Sequence, residues 1–150
     1  EWILMEYGCA LAGVILVTVN PSYQADEVGY VLRQSRAAGI FLLPEYRGNR
    51  MLQHVKEVRD TCPELRDVVL FSEWDSFMAS AGNKPFPELT ADQACMIQYT
   101  SGTTGFPKGA LLHHRGLVNN AAHVAHRNAL ADGSVQCRHE GHAGWRGLGL

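Results

Sequence analysis

Hydrophobic residues along this chain switch repeatedly between helical spacing and short continuous runs. Trp2 to Leu11 reads as a helix punctuated by Gly13, and Val14-Ile15-Leu16-Val17-Thr18-Val19 follows as an almost unbroken apolar run. Such runs, unlike alternating ones, suit strands buried on both faces of a parallel sheet. Asn20-Pro21-Ser22 marks a loop at that strand's carboxyl end. A helix is predicted over Ala25 to Ala37, with Val28, Val31, Leu32 and Ser35 on one face. The rhythm then repeats. Gly39 to Leu43 reads as a strand closed by Pro44, and Arg50 to Asp60 as a helix with Met51, Leu52, Val55 and Val58 at helical spacing. Cys62-Pro63 stops it, and Asp67 to Phe71 reads as a third strand. Trp74, Phe77 and Met78 suggest a short helix, with Met51 and Trp74 read as core residues. Ser80 to Ala91, carrying Gly82, Pro85 and Pro87, is the expected surface connection. Cys95 to Tyr99 and Ala110 to His114 read as strands, and Arg115 to about Ala129 as a helix. Strands alternating with helices predict an α/β fold, a layered sheet with helices on both faces and right-handed crossovers.

Composition narrows the class. An apolar content of 46% with 19% charged residues describes a globular chain rather than a disordered one. A net charge of −2 offers no basic face for nucleic acid. Cys9, Cys62, Cys95 and Cys137 form no C-x-x-C pair and suit reduced thiols in a cytoplasmic protein. The apolar stretch Ile3 to Val19 carries Glu6, Gly8 and Gly13 and falls short of the ~20 residues a membrane span needs. It reads as a buried helix and a buried strand. Glu1 opens the chain partway into a helix with no capping residue before it, so a piece of a longer protein is expected.

The chemistry concentrates in Tyr99-Thr100-Ser101-Gly102-Thr103-Thr104-Gly105-Phe106-Pro107-Lys108-Gly109. Glycines let the backbone approach an anion and turn successive N–H groups toward it. The hydroxyls of Thr100, Ser101, Thr103 and Thr104 add donors without charge, and Lys108 adds a compact positive charge. Pro107 has no N–H and stiffens the loop. The order G-T-T-G-F-P-K-G is not the G-x-x-x-x-G-K-[ST] phosphate loop, and a strand rather than a helix is predicted to follow it. About ten residues separate the two strands, too few for a parallel crossover, so an antiparallel pair is expected. A helix dipole would then be missing, leaving hydroxyls, backbone donors and Lys108 to hold phosphates. A flexible Gly/Ser/Thr linker is the bland alternative, but linkers are rarely flanked by apolar strands on both sides.

This run resembles the phosphate-binding signature of the adenylate-forming superfamily, the AMP-binding acyl-CoA synthetases and their relatives. Glu1 to Gly13, Val19-Asn20-Pro21-Ser22-Tyr23, and Gly109 to Asn120 are similar to fatty-acyl-CoA synthetases, so the resemblance covers residues 1 to about 125. It implies part of an N-terminal AMP-binding domain over 1–135, with the phosphate loop between two antiparallel strands. It also implies an ATP-dependent ligase: a carboxylate, most simply a fatty acid, attacks the α-phosphorus of ATP, and coenzyme A then displaces AMP. Mg²⁺ is expected with the phosphates rather than in a protein cage, and no metal ligands are assigned. The resemblance carries phosphate-binding roles onto Thr100, Ser101, Gly102, Thr103, Thr104, Gly105, Phe106, Pro107 and Lys108. The family's adenylation lysine lies outside this chain. Aromatic-acid CoA ligases, amino-acid-activating domains and luciferases share the loop and stay open as alternatives, as does an inactive nucleotide-binding fragment.

The other candidates read as structural. His113 and His114, adjacent on a predicted strand, should point to opposite faces. His123 and His126 share a helix face and could be grouped with Cys137, His139 and His142, yet the spacing fits no standard zinc pattern. Asp26, Glu27 and Glu57 read as solvated helix faces, and Asn119 and Asn120 as helix contacts. Residues 136–150 hold Gly141, Gly144, Gly147 and Gly149 without periodicity and break the family pattern. A shifted reading frame near Cys137, or a sequencing error there, is the expectation.

Overall fold

The computed structural model describes residues 1–100 and 107–129. Among the described residues, five strands and five α-helices follow one another as α1 (Trp2–Ala12), β1 (Leu16–Thr18), α2 (Ala25–Ser35), β2 (Gly39–Leu42), α3 (Met51–Val58), β3 (Asp67–Leu70), α4 (Trp74–Ala79), β4 (Ala94–Thr100), β5 (Lys108–His113) and α5 (His114–Arg127). The mixed α/β class expected from the periodicity is what forms. The described strands divide into two sheets, however: a three-stranded one in the order β1-β4-β5 and a two-stranded one pairing β2 with β3. Glu1–Val118 makes one compact unit, described over 1–100 and 107–118.

The core is built by the helical faces that the sequence marks. Val31 on α2 is fully buried. Leu32, 3% exposed, clusters with the buried Val28, Leu42, Val55, Val58, Cys62 and Leu65. Met51, Leu52, Ile40, Val68 and Leu70 pack against this cluster, so it fills the space between α2, α3 and the parallel β2–β3 pair. Burying one such side chain is worth roughly 1.5–3 kcal/mol, which makes this cluster the main stabilising element. Gly29 permits the close approach of α2 and α3, since a Cβ there would lie 3.1 Å from Val58 Cγ1. Phe41, Phe71, Trp74 and Phe77 stack beside this core, the Phe41 and Phe77 rings meeting edge-on at 4.9 Å. Trp74 thus joins an aromatic cluster, as its place in the apolar pattern suggests.

Local signals explain the helix ends. Gly13 closes α1 in the left-handed conformation (φ 70°), its N–H donating to the Ala10 and Cys9 carbonyls. Glu27, expected as a solvated face, instead accepts the Gln24 backbone N–H at 3.0 Å and caps α2. Asn49 ties two loops together. Its amide donates to the Pro21 and Tyr23 carbonyls at 2.7 and 3.0 Å, and its oxygen accepts from Gln24 Nε2.

One expectation is overturned. The Ile3 to Val19 stretch is not buried: α1 has no buried residue, Ile3 is 64% exposed, and Leu4, Tyr7, Leu11, Val14 and Ile15 are exposed too. Only Leu16–Thr18 becomes a strand, half-buried where it pairs with β4. Continuous hydrophobicity reports what a segment is suited to lie against, and no described element covers this one. Among the described residues no helix is long and apolar enough to cross a membrane.

Candidate functional site

The candidate site grows out of the β4–β5 ladder. Ile97 pairs with Leu111, Gln98 with Ala110, Tyr99 with Gly109 and Thr100 with Lys108, all antiparallel. The loop between antiparallel strands is therefore present, but its ends lie further along than the sequence suggests. β4 continues to Thr100 and β5 already begins at Lys108. The Thr100 hydroxyl donates to the Lys108 carbonyl at 3.5 Å across this last pair of the ladder.

Of the nine residues assigned to phosphate binding, three are in view. Thr100 and Lys108 are exposed at the two roots, and Pro107 is buried just before β5. Lys108 has no ion-pair partner among the described residues. Ser101, Gly102, Thr103, Thr104, Gly105 and Phe106 lie outside the described residues. The helix after the loop starts only at His114, so a ladder rather than a helix N-terminus receives the loop's end.

Two residues near the loop emerge only in three dimensions. Gly109 leaves little room for a side chain: a Cβ would sit 3.0 Å from Ile97 Cγ2 and 3.1 Å from Tyr99 Cζ, so a neighbour would have to shift. The Tyr99 ring thus lies across Gly109. Its hydroxyl donates to Gln34 Oε1 on α2 at 2.7 Å, and Gln34 Nε2 donates to the Tyr30 hydroxyl at 2.9 Å. Burial pushes the Tyr99 phenol above its ordinary pKa, and the nearby Tyr30 and Tyr23 phenols add to the rise.

At the other end of β5 the histidines behave differently from expectation. His113 closes the strand, whereas His114 opens α5. His113 Nδ1 accepts the Gly116 N–H at 3.2 Å, an N-cap that turns the chain into helix before His114 can extend the strand. The helix start is also held by Arg115, whose guanidinium donates to both Asp92 oxygens at 2.7 and 2.9 Å. That pairing holds the Asp92 carboxyl below its ordinary pKa, His113 assisting. His123 and His126 are exposed on α5, and Cys137, His139 and His142 lie outside the described residues. Among the described residues no three His, Cys, Asp or Glu side chains gather as a metal site.

Comparison with known proteins gives this geometry its family. The chain is 33% identical over 165 residues to YngI of Bacillus subtilis (strain 168), covering 91% of this chain and 30% of YngI. It is 34% identical over 157 residues to the mitochondrial medium-chain acyl-CoA ligase ACSF2 of Rattus norvegicus, covering 84% of this chain and 25% of that protein. The chain therefore spans under a third of the length of the curated relatives it matches. Its fold is that of the corresponding part of a long-chain-fatty-acid-CoA ligase (FadD1) from Archaeoglobus fulgidus, with a TM-score of 0.73. That match has 23% identity and covers 87% of this chain and 26% of the other. The family model for AMP-binding enzymes matches residues 1–138, loop and flanking strands included, and the chain belongs to that family.

Proposed function

We propose that the protein to which this chain belongs is an ATP-dependent acid–CoA ligase and that the β4–β5 turn is its triphosphate cradle. The observation that supports the reading is the ladder ending at Thr100 and Lys108, whose ammonium has no ion-pair partner among the described residues, next in sequence to a segment of glycines and hydroxyls. Thr100, Ser101, Thr103 and Thr104 supply hydroxyl donors, Gly102 and Gly105 the close backbone approach, and Lys108 the charge, while Phe106 and Pro107 shape the turn. A carboxylate attacking the α-phosphorus needs no protein nucleophile, so positioning and charge stabilisation carry the first half-reaction. Mg²⁺ accompanies the phosphates, and coenzyme A accepts the acyl group in the second half-reaction.

A fatty acid is the proposed substrate, on the strength of the named relatives and of the flanks Trp2 to Tyr23 and Gly109 to Asn120. The cytoplasm is the proposed compartment, from the unpaired pattern of the cysteines. We assign residues 1–135 to the AMP-binding domain and 136–150 to an atypical tail, although the family model itself continues to residue 138. The test is acid-dependent ATP–pyrophosphate exchange by the complete protein over a panel of fatty, aromatic and amino acids. Exchange with fatty acids supports the reading. Exchange with only the other acids reassigns the substrate, and no exchange with any acid removes the ligase.

A further inference from the structure

Tyr99 and Gly109 are the last cross-strand pair before the roots of the loop, and that pair has an unusual anchor. A glycine opposite an aromatic ring lets the ring lie flat over the backbone, but glycine has no side chain to hold the ring in place. The Tyr99 hydroxyl is a directional handle on that ring, and it is taken by Gln34, from 65 residues earlier in the chain. Gln34 uses both halves of its amide: the oxygen accepts from Tyr99 and the nitrogen donates to Tyr30, one turn back on the same helix. Gln34 itself is exposed and contributes nothing to the buried cluster of α2.

We propose that Gln34 is a positioning residue for nucleotide binding, clasping Tyr99 to α2 so that Thr100 and Lys108 present their donors at a fixed separation. This rests on the triphosphate reading of the turn. The physical reason is that a hydroxyl bonded to a side chain on another element restricts the sliding freedom of an end pair, which otherwise frays. Donors held in place before the ligand arrives do not spend binding energy on being ordered. Because Gln34 lies on the surface, its loss should affect the loop's roots without unfolding the protein.

The experiment uses the complete protein with Gln34→Leu, which deletes both bonds, and Tyr99→Phe, which deletes only the hydroxyl. ATP–pyrophosphate exchange gives KM for ATP and for the acid separately, and affinity for a non-hydrolysable ATP analogue is measured alongside. Each variant is expected to raise the ATP KM and the analogue Kd about 3- to 10-fold, the cost of one well-placed hydrogen bond. The acid KM should be unchanged, the melting temperature should fall by no more than a few degrees, in keeping with about 1 kcal/mol for the lost bond, and the double variant should be no weaker than either single one. Unchanged ATP parameters overturn the proposal, as does a parallel loss in both KM values accompanied by a lower melting temperature. If the wild-type protein shows no exchange yet binds the analogue, and both variants weaken it, the ligase reading fails while the clasp stands. If the wild type binds no analogue, both fall.

Discussion

Replacing Gly109 by alanine asks directly whether the turn is built on the Tyr99 ring. The new Cβ would lie 3.0 Å from Ile97 Cγ2, 3.1 Å from Tyr99 Cζ and 3.2 Å from Tyr99 Cε1, all inside ordinary carbon–carbon contact. Two effects compete. Alanine restricts the unfolded chain and suits a strand better than glycine by roughly 0.5–1 kcal/mol. Overpacking costs about 1–3 kcal/mol when neighbours must move. Ile97 is held in the middle of β4 between β1 and β5, so the Tyr99 ring is the neighbour that yields, and its bond to Gln34 goes with it. That adds about 1 kcal/mol to the cost. The net expectation is a destabilisation of about 1–3 kcal/mol, read as a lower urea midpoint in far-UV circular dichroism. In a Tyr99→Ala background the same substitution should cost at least about 1 kcal/mol less, because the ring is no longer there to collide. A neutral or stabilising Gly109→Ala, or an identical cost in both backgrounds, would refute the reasoning.

Further outcomes follow from the same structure. Lys108→Ala in the complete protein should weaken ATP binding at least ~10-fold, since a charge-assisted bond is worth roughly 1.5–3 kcal/mol, while unchanged ATP-dependent exchange would remove Lys108 from the site. Leu32→Ala, in the core, should cost about 2–5 kcal/mol in urea unfolding, whereas Leu111→Ala, at 62% exposure, should stay within about 0.5 kcal/mol. The Arg115 guanidinium lowers the folded-state pKa of Asp92, so the unfolded chain binds the proton first as pH falls. Stability from this pair is therefore present above the ordinary carboxylate pKa and lost as pH drops through the folded value; Asp92→Asn should flatten that part of the acid-unfolding curve. Tyr99 behaves in the opposite sense. Its raised pKa keeps the phenol neutral in the fold, so its contribution is present below pH ~10 and lost as pH climbs through the folded value, which ultraviolet titration against Tyr99→Phe would show.

What could be read from the sequence was local. The apolar stripe on α2 appears in the core as Val28, Val31 and Leu32, and Val55 and Val58 do the same for α3, because helical spacing alone decides which side chains share a face. The antiparallel β4–β5 pair followed from loop length, a geometric limit that needs no tertiary information. Residues without a local signal were misread or missed. His114 looked like a strand residue because its cap, His113 bonded to Gly116, and the Asp92–Arg115 pair that seats α5 depend on the completed sheet. Gly109 sat inside a motif rich in glycine, and only the Tyr99 ring shows that its role is to leave space. Gln34 met Tyr99 across 65 residues and carried no pattern at all. The exposure of Ile3, Leu4 and Tyr7 is the converse lesson: hydrophobicity marks a surface to be covered, not what covers it.

The most direct measurement is to incubate the complete protein with ATP, Mg²⁺ and a fatty acid in the absence of coenzyme A, and to look for the mixed anhydride by mass spectrometry. Accumulation of the acyl-adenylate with release of pyrophosphate, followed by its conversion to the acyl thioester and AMP once coenzyme A is added, is the expected result. Cleavage of ATP to ADP and phosphate, or AMP formed without an acyl-adenylate, would contradict the adenylating ligase.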